Sequence, residues 1–79
     1  MTTDLPGKEE VAREFPPLGK YRVRLLRHPK TGAKVLDIRE YVSGESFEGF
    51  TRRGIRLGDL GQLDLLRDVL AELVRERLV

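Results

Sequence analysis

Between Lys20 and Leu57 the chain changes polarity at almost every residue, and after Asp59 that period of two gives way to a period near 3.6. This switch is the strongest constraint on the fold. Alternation over five to eight residues marks a half-buried strand, whereas apolar residues at i, i+3, i+4 and i+7 mark an amphipathic helix. Tyr21, Val23 and Leu25 alternate with Lys20, Arg22 and Arg24 and predict a first strand. His28-Pro29-Lys30-Thr31-Gly32 has the composition of a hairpin loop, since proline presets one turn dihedral and glycine supplies a positive one. Ala33 to Val42 forms the second expected strand and Glu48 to Leu57 the third, with Ser43-Gly44-Glu45-Ser46 as the turn between them. Asp59 then caps a helix expected to run to about Arg77, with Gln62 at the capping-box spacing. Residues 1–19 hold Pro6, Gly7, Pro16, Pro17 and Gly19 among few apolar side chains and are expected to form a flexible arm, with 20–79 as the folded domain. The expected class is α+β: a curved antiparallel meander followed by one C-terminal helix.

Size bears on oligomeric state. A chain of 79 residues is small, and domains near this size bury too little surface to be robust alone. There is no cysteine, so disulfides, thiolate metal sites and a cysteine nucleophile are excluded, and a reducing cytosol is compatible. The N-terminal segment carries acids and no apolar stretch, unlike a signal or transit peptide, and no apolar run approaches a membrane span. A cytoplasmic location is expected, close to the nucleoid if the source is bacterial. On a helical wheel Leu60, Leu63, Leu65, Leu66, Val69, Leu70, Leu73 and Val74 cover about half the circumference, more than one sheet face needs. The excess predicts a homodimer interface centred on Leu63, Leu66, Val69, Leu70 and Leu73.

Charge is segregated along the chain. Residues 20–56 hold 10 basic and 4 acidic side chains, net +6, whereas 1–19 and 57–79 are each net −2. Centring the first turn on Lys30 and Thr31 sets Val23 opposite Ile38, Arg24 opposite Asp37 and Arg22 opposite Arg39. Centring the second near Ser46 and Phe47 sets Ile38 opposite Ile55, Arg39 opposite Gly54, Tyr41 opposite Arg52 and Asp37 opposite Arg56. The outward face then collects Arg22, Arg24, Arg39, Arg52 and Arg56 around one acid. Like charges directly opposed in a sheet repel, so the Arg22–Arg39 pair points to an anion, with phosphate the natural candidate; the alternative is a solvated strand face whose arginines cover apolar surface and pair with Asp37 and Glu40. Lys30 and Lys34 extend the basic surface. Tyr41 shares this face, and Phe47 and Phe50 lie in the turn beside Arg52 and Arg53, where they can serve as base-stacking platforms or pack against the sheet edge or a partner. Phe15 and Tyr21 are expected in the core, and His28 is expected to be a loop residue.

The basic side chains lie on strands and the helix is net acidic, which disfavours reading of a duplex major groove. No phosphate-binding loop, dinucleotide fingerprint, zinc-protease motif or nucleophile triad is present, so no enzyme activity, cofactor or metal is expected.

The run Lys34-Val35-Leu36-Asp37-Ile38-Arg39-Glu40-Tyr41, followed by Arg52-Arg53-Gly54-Ile55-Arg56-Leu57 and an amphipathic helix, resembles the positive-cofactor-four family of transcriptional coactivators over roughly residues 20–75. The resemblance implies a homodimer that binds single-stranded or unpaired DNA, with transcription machinery as a further partner. It assigns a DNA contact to Arg39 and the basic pair before the glycine to Arg52 and Arg53, with Lys34 near a family lysine. Val42 stands where the best-known member has Trp. The expected function is largely sequence-independent binding of single-stranded DNA by Arg22, Arg24, Lys30, Lys34, Arg39, Tyr41, Phe50, Arg52, Arg53 and Arg56, in transcription or DNA maintenance. Five contacted phosphates would give a log–log salt slope of about −3.5. Arg39→Ala is expected to weaken binding and leave the fold intact. Arg53 falls opposite Glu40, on the other face, unless a bulge near Gly54 re-aims it. A protein-interaction module built on the wide helix face is the alternative, as is RNA binding on the same surface.

Overall fold

A computed structural model describes residues 9–79. Four strands, β1 (Glu10–Leu18), β2 (Tyr21–Arg27), β3 (Lys34–Ser43) and β4 (Glu48–Leu57), form an antiparallel sheet in chain order, and helix α1 (Leu60–Glu76) follows. No helix among the described residues is long and apolar enough to cross a membrane.

The expected α+β meander is present, with one strand more than the alternation indicated. Residues 10–18, expected in the flexible arm, form β1; residues 1–8 lie outside the described residues. Phe15, half-buried, lies opposite Val23, and Val11 lies opposite Leu26. Pro16 and Pro17 are tolerated because β1 is an edge strand, where missing N–H donors need not face a neighbour. The register slips between Val11 and Arg13 and again between Phe15 and Leu18, the second slip spanning the prolines.

The β2–β3 register matches the expected one throughout: Arg22 opposite Arg39, Val23 opposite Ile38, Arg24 opposite Asp37. In its loop Gly32 takes a φ of +76°, and His28 Nδ1 accepts from the backbone N–H groups of Lys30 and Thr31. The β3–β4 register matches from Leu36 opposite Leu57 to Arg39 opposite Gly54 and then breaks. Tyr41 faces Phe50, not Arg52, because β4 carries two more residues than β3 across this step. Arg52 and Arg53 therefore sit in a bulge. Gly54 is required there: a Cβ at this position would lie 2.3 Å from the Ile38 carbonyl oxygen.

The bulges curl the sheet. Glu9, just before β1, reaches Arg56 on β4 with two bonds of 3.0 and 3.1 Å, although three strand spacings in a flat sheet would separate the outer strands by roughly 14 Å. The curl closes over the arginine face, which the alternation had placed outward in solvent. Leu26 and Asp37 on that face are 0% exposed and Arg24 is 3% exposed. The apolar face, expected to be the closed core, stays half open. Tyr21, Val23, Leu25, Leu36 and Ile38 are half-buried and Ile55 is 52% exposed. Phe15 is likewise half-buried.

Helix α1 begins as expected, with Asp59 accepting from the Gln62 N–H at 3.1 Å, and ends at Arg77 in the left-handed conformation. It lies beside the apolar face across an open groove of about 450 Å³ lined by Ile38, Ile55, Leu57, Leu65, Leu66 and Val69. Leu63, Leu66 and Leu73 are half-buried, while Leu65, Val69, Leu70 and Val74 stay exposed.

Candidate nucleic-acid interface

The ten side chains expected to bind nucleic acid separate into three groups. The first surrounds Asp37. Its Oδ1 accepts from Arg56 Nε at 3.0 Å and from Arg39 Nη2 and Nε at 3.2 and 3.3 Å, and its Oδ2 accepts from Arg24 Nη2 at 3.1 Å. Arg56 is also held by Glu9. Arg39 donates onward to the carbonyls of Thr51 (3.4 Å) and Arg52 (3.0 Å), backbone acceptors that the bulge removes from the strand ladder. Arg24, Arg39 and Arg56 thus hold the sheet together. Of the two readings of this face, the geometry has these arginines paired with Asp37, and the aspartate between them is the anion that lets guanidinium groups crowd together.

The second group is a cation–aromatic stack. The Arg24 guanidinium lies 3.9 Å from the Phe50 ring centroid, Phe50 meets Tyr41 at 5.0 Å and 74°, and Arg22 lies 4.1 Å from the Tyr41 centroid. Tyr41 is fixed at its far end, where Oη donates to Glu48 Oε2 at 2.8 Å. That bond, with some desolvation, raises the Tyr41 phenol above its ordinary value. Arg22 also approaches Glu14 Oε2 at 3.8 Å. The opposed Arg22–Arg39 pair is therefore resolved within the chain, each arginine turning to its own acid.

The third group is exposed. Arg52 and Arg53 occupy the bulge and are exposed, and the charge of Arg53 acts on Glu40, helping to lower that carboxyl. Glu40, expected opposite Arg53, is met by Lys20 at 2.8 Å and by the Thr51 hydroxyl at 2.8 Å. The hydrogen bond from Lys20, then that from Thr51, lowers the Glu40 carboxyl, and the same contact raises Lys20. Lys30 and Lys34 are exposed at the opposite end of the sheet, Lys34 facing Arg27. Lys34 and Arg39 are five positions apart on β3, about 17 Å at strand rise, so these lysines do not join the bulge cluster. Phe47 is exposed in the β3–β4 loop.

Glu9 and Glu14 did not stand out in the sequence because the segment carrying them was not placed on the sheet. The charge pattern held a cue in the single Asp37 opposite both Arg24 and Arg56. Comparison with protein-family models, with curated proteins and with solved structures finds no match to this chain.

Proposed function

We propose that the chain binds single-stranded DNA as a homodimer, largely without reading sequence, as its resemblance to the positive-cofactor-four family implies, and that it serves transcription or DNA maintenance. The observation that carries this reading is the bulge end of the sheet. There Arg52 and Arg53 are exposed beside the Arg22–Tyr41–Phe50 stack. Exposed guanidinium groups neutralise phosphates, and planar groups beside them support bases, the combination that single strands require. Helix α1 carries Asp64, Asp68, Glu72 and Glu76 and is unsuited to a duplex groove.

The exposed apolar residues of α1 and the open groove beneath it also suit a protein partner. A second copy fits best, because it brings the same apolar helix and the same half-open sheet face.

The test is fluorescence anisotropy of a labelled oligothymidine of about 20 nucleotides and a duplex of equal length, each at two salt concentrations. Preference for the single strand is expected. With Arg24, Arg39 and Arg56 committed elsewhere, phosphate contacts from Arg52 and Arg53 give a log–log slope of about −1.4 per protomer, at roughly −0.7 per phosphate. Binding that ignores salt, or equal weak binding to both, refutes the reading. An oligouridine of the same length separates RNA from DNA preference.

A further inference from the structure

We infer that the outward plane of the Arg22 guanidinium, backed by the Tyr41 ring, is the base-stacking platform of this chain. The inference rests on the single-strand reading above and names the group that would hold a base. Aromatic rings are the usual platforms, but both rings at the bulge end are already engaged. A guanidinium covers one face of each, at 4.1 Å for Tyr41 and 3.9 Å for Phe50, and the rings meet edge to face. The stack runs in the order Arg24, Phe50, Tyr41, Arg22. Its first member is 3% exposed, whereas the Arg22 side chain is 42% exposed. Of the two ends of the stack, the one that meets solvent is therefore a guanidinium, while Tyr41 and Phe50 between them are half-buried.

A guanidinium is planar and weakly hydrated, and it stacks on bases as well as on aromatic rings. Here it is also held in place, with the ring beneath it and Glu14 3.8 Å from Nη1. The carboxylate bears on what can bind. It offsets the charge of Arg22 and repels a phosphate from that edge, whereas a neutral π-surface can approach the part of the side chain, 42% exposed, that faces solvent. Arg52 and Arg53 are exposed in the bulge, and they suit phosphate instead. The bulge that carries Arg52 and Arg53 begins two residues after Phe50 on β4, which sets exposed cations next to the stack along the chain. Guanidinium stacking has no donor–acceptor code, so the platform accepts any base.

The test compares binding of an oligothymidine with that of an abasic strand of equal length and phosphate count. The unaltered chain should prefer the oligothymidine. Arg22→Lys keeps the charge and removes the plane, and it should narrow that preference about fivefold or more, the low end for removing one base stack. Arg53→Ala should weaken both strands alike. In the unaltered chain the Arg22 Nε–H resonance should shift on adding oligothymidine and stay in place on adding the abasic strand, a readout independent of any variant's folding. A preference unchanged by Arg22→Lys, or one abolished by Phe47→Ala alone, overturns the platform and leaves the single-strand reading standing. If the unaltered chain binds neither strand, both fail.

Discussion

Asp37→Asn removes one charge and almost no volume, and it tests whether the arginine cluster is an internal support or an open binding surface. Oδ1 accepts from two arginines and Oδ2 from a third, all within 3.0–3.3 Å, at a residue that is 0% exposed. An asparagine oxygen can replace Oδ1, but its amide nitrogen then meets Arg24 Nη2, donor against donor. Breaking a buried ion pair by removing one partner costs about 3–5 kcal/mol. A chain of this length is expected to have roughly 4–12 kcal/mol of total stability. At about 4–8 °C per kcal/mol for small domains, the variant should melt some 12 °C or more below the parent. The assay is circular-dichroism melting at one protein concentration, in low and high salt. Asp64→Asn, which breaks the exposed Arg67–Asp64 pair, serves as the reference and should shift by less than about 0.5 kcal/mol. A shift for Asp37→Asn below about 1 kcal/mol, or a gap that closes in high salt as exposed charges are screened, would refute the internal role. A surface of free phosphate-binding arginines would instead gain affinity from the lost negative charge.

The remaining predictions concern the bulge and pH. Arg39→Ala, expected from sequence to spare the fold, should cost about 2 kcal/mol or more, since it removes charge-assisted bonds to Asp37 and strands the Thr51 and Arg52 carbonyls; urea denaturation measures this. Gly54→Ala places a methyl 2.3 Å from the Ile38 oxygen and should force β3 and β4 apart, with exchange of their amide protons as the readout. Glu40 is lowered when folded, so its contribution is present above the ordinary glutamate value of about 4.3 and is lost as pH falls through the depressed folded value. Lys20 is raised, so its contribution is present below about 10.4 and is lost as pH rises through the elevated folded value. The urea midpoint should therefore decline at both ends of the pH range, and Glu40→Gln should reduce the acid-side decline.

Strand pairing was largely legible because every core position of β2 and β3 alternates, and one shift of register would turn all of them over. The helix start was legible from Asp59 and Gln62, a local signal. Which face of the sheet is buried was not. Alternation separates two faces but does not say which way a sheet curls, and the curl comes from bulges in β1 and β4. The β4 bulge had one visible cue in Gly54. The β1 bulges lie in a segment whose prolines and acids suggest an arm, and its strand state depends on long-range contacts such as Glu9 with Arg56 and Phe15 with Val23. The acid partners within the candidate site were hidden for the same reason. Arg22 facing Arg39 needed an anion, but the acids that resolve the repulsion are Glu14 on β1 and Asp37 two residues along β3.

The two faces of the sheet make different demands on the proposed dimer. The concave face is self-sufficient, closed by Asp37, three arginines and Leu26. The other face and the helix leave Leu65, Val69, Leu70, Val74 and Ile55 exposed. Covering an aliphatic side chain fully is worth about 1.5–3 kcal/mol, and because these four helix residues are 44–77% exposed, burying what remains would contribute roughly 3.5–7 kcal/mol per protomer, a large share of the stability expected of such a chain. Folding and association should therefore be coupled, and the melting temperature should rise with protein concentration. Val69→Asp should unfold the chain instead of yielding a stable monomer. Asp37→Asn, acting on the opposite face, should lower the melting temperature and leave its concentration dependence in place. A melting temperature constant over a hundredfold range of concentration would mean that a protomer is stable with its apolar face open, and the helix would then be free for a partner other than its own copy.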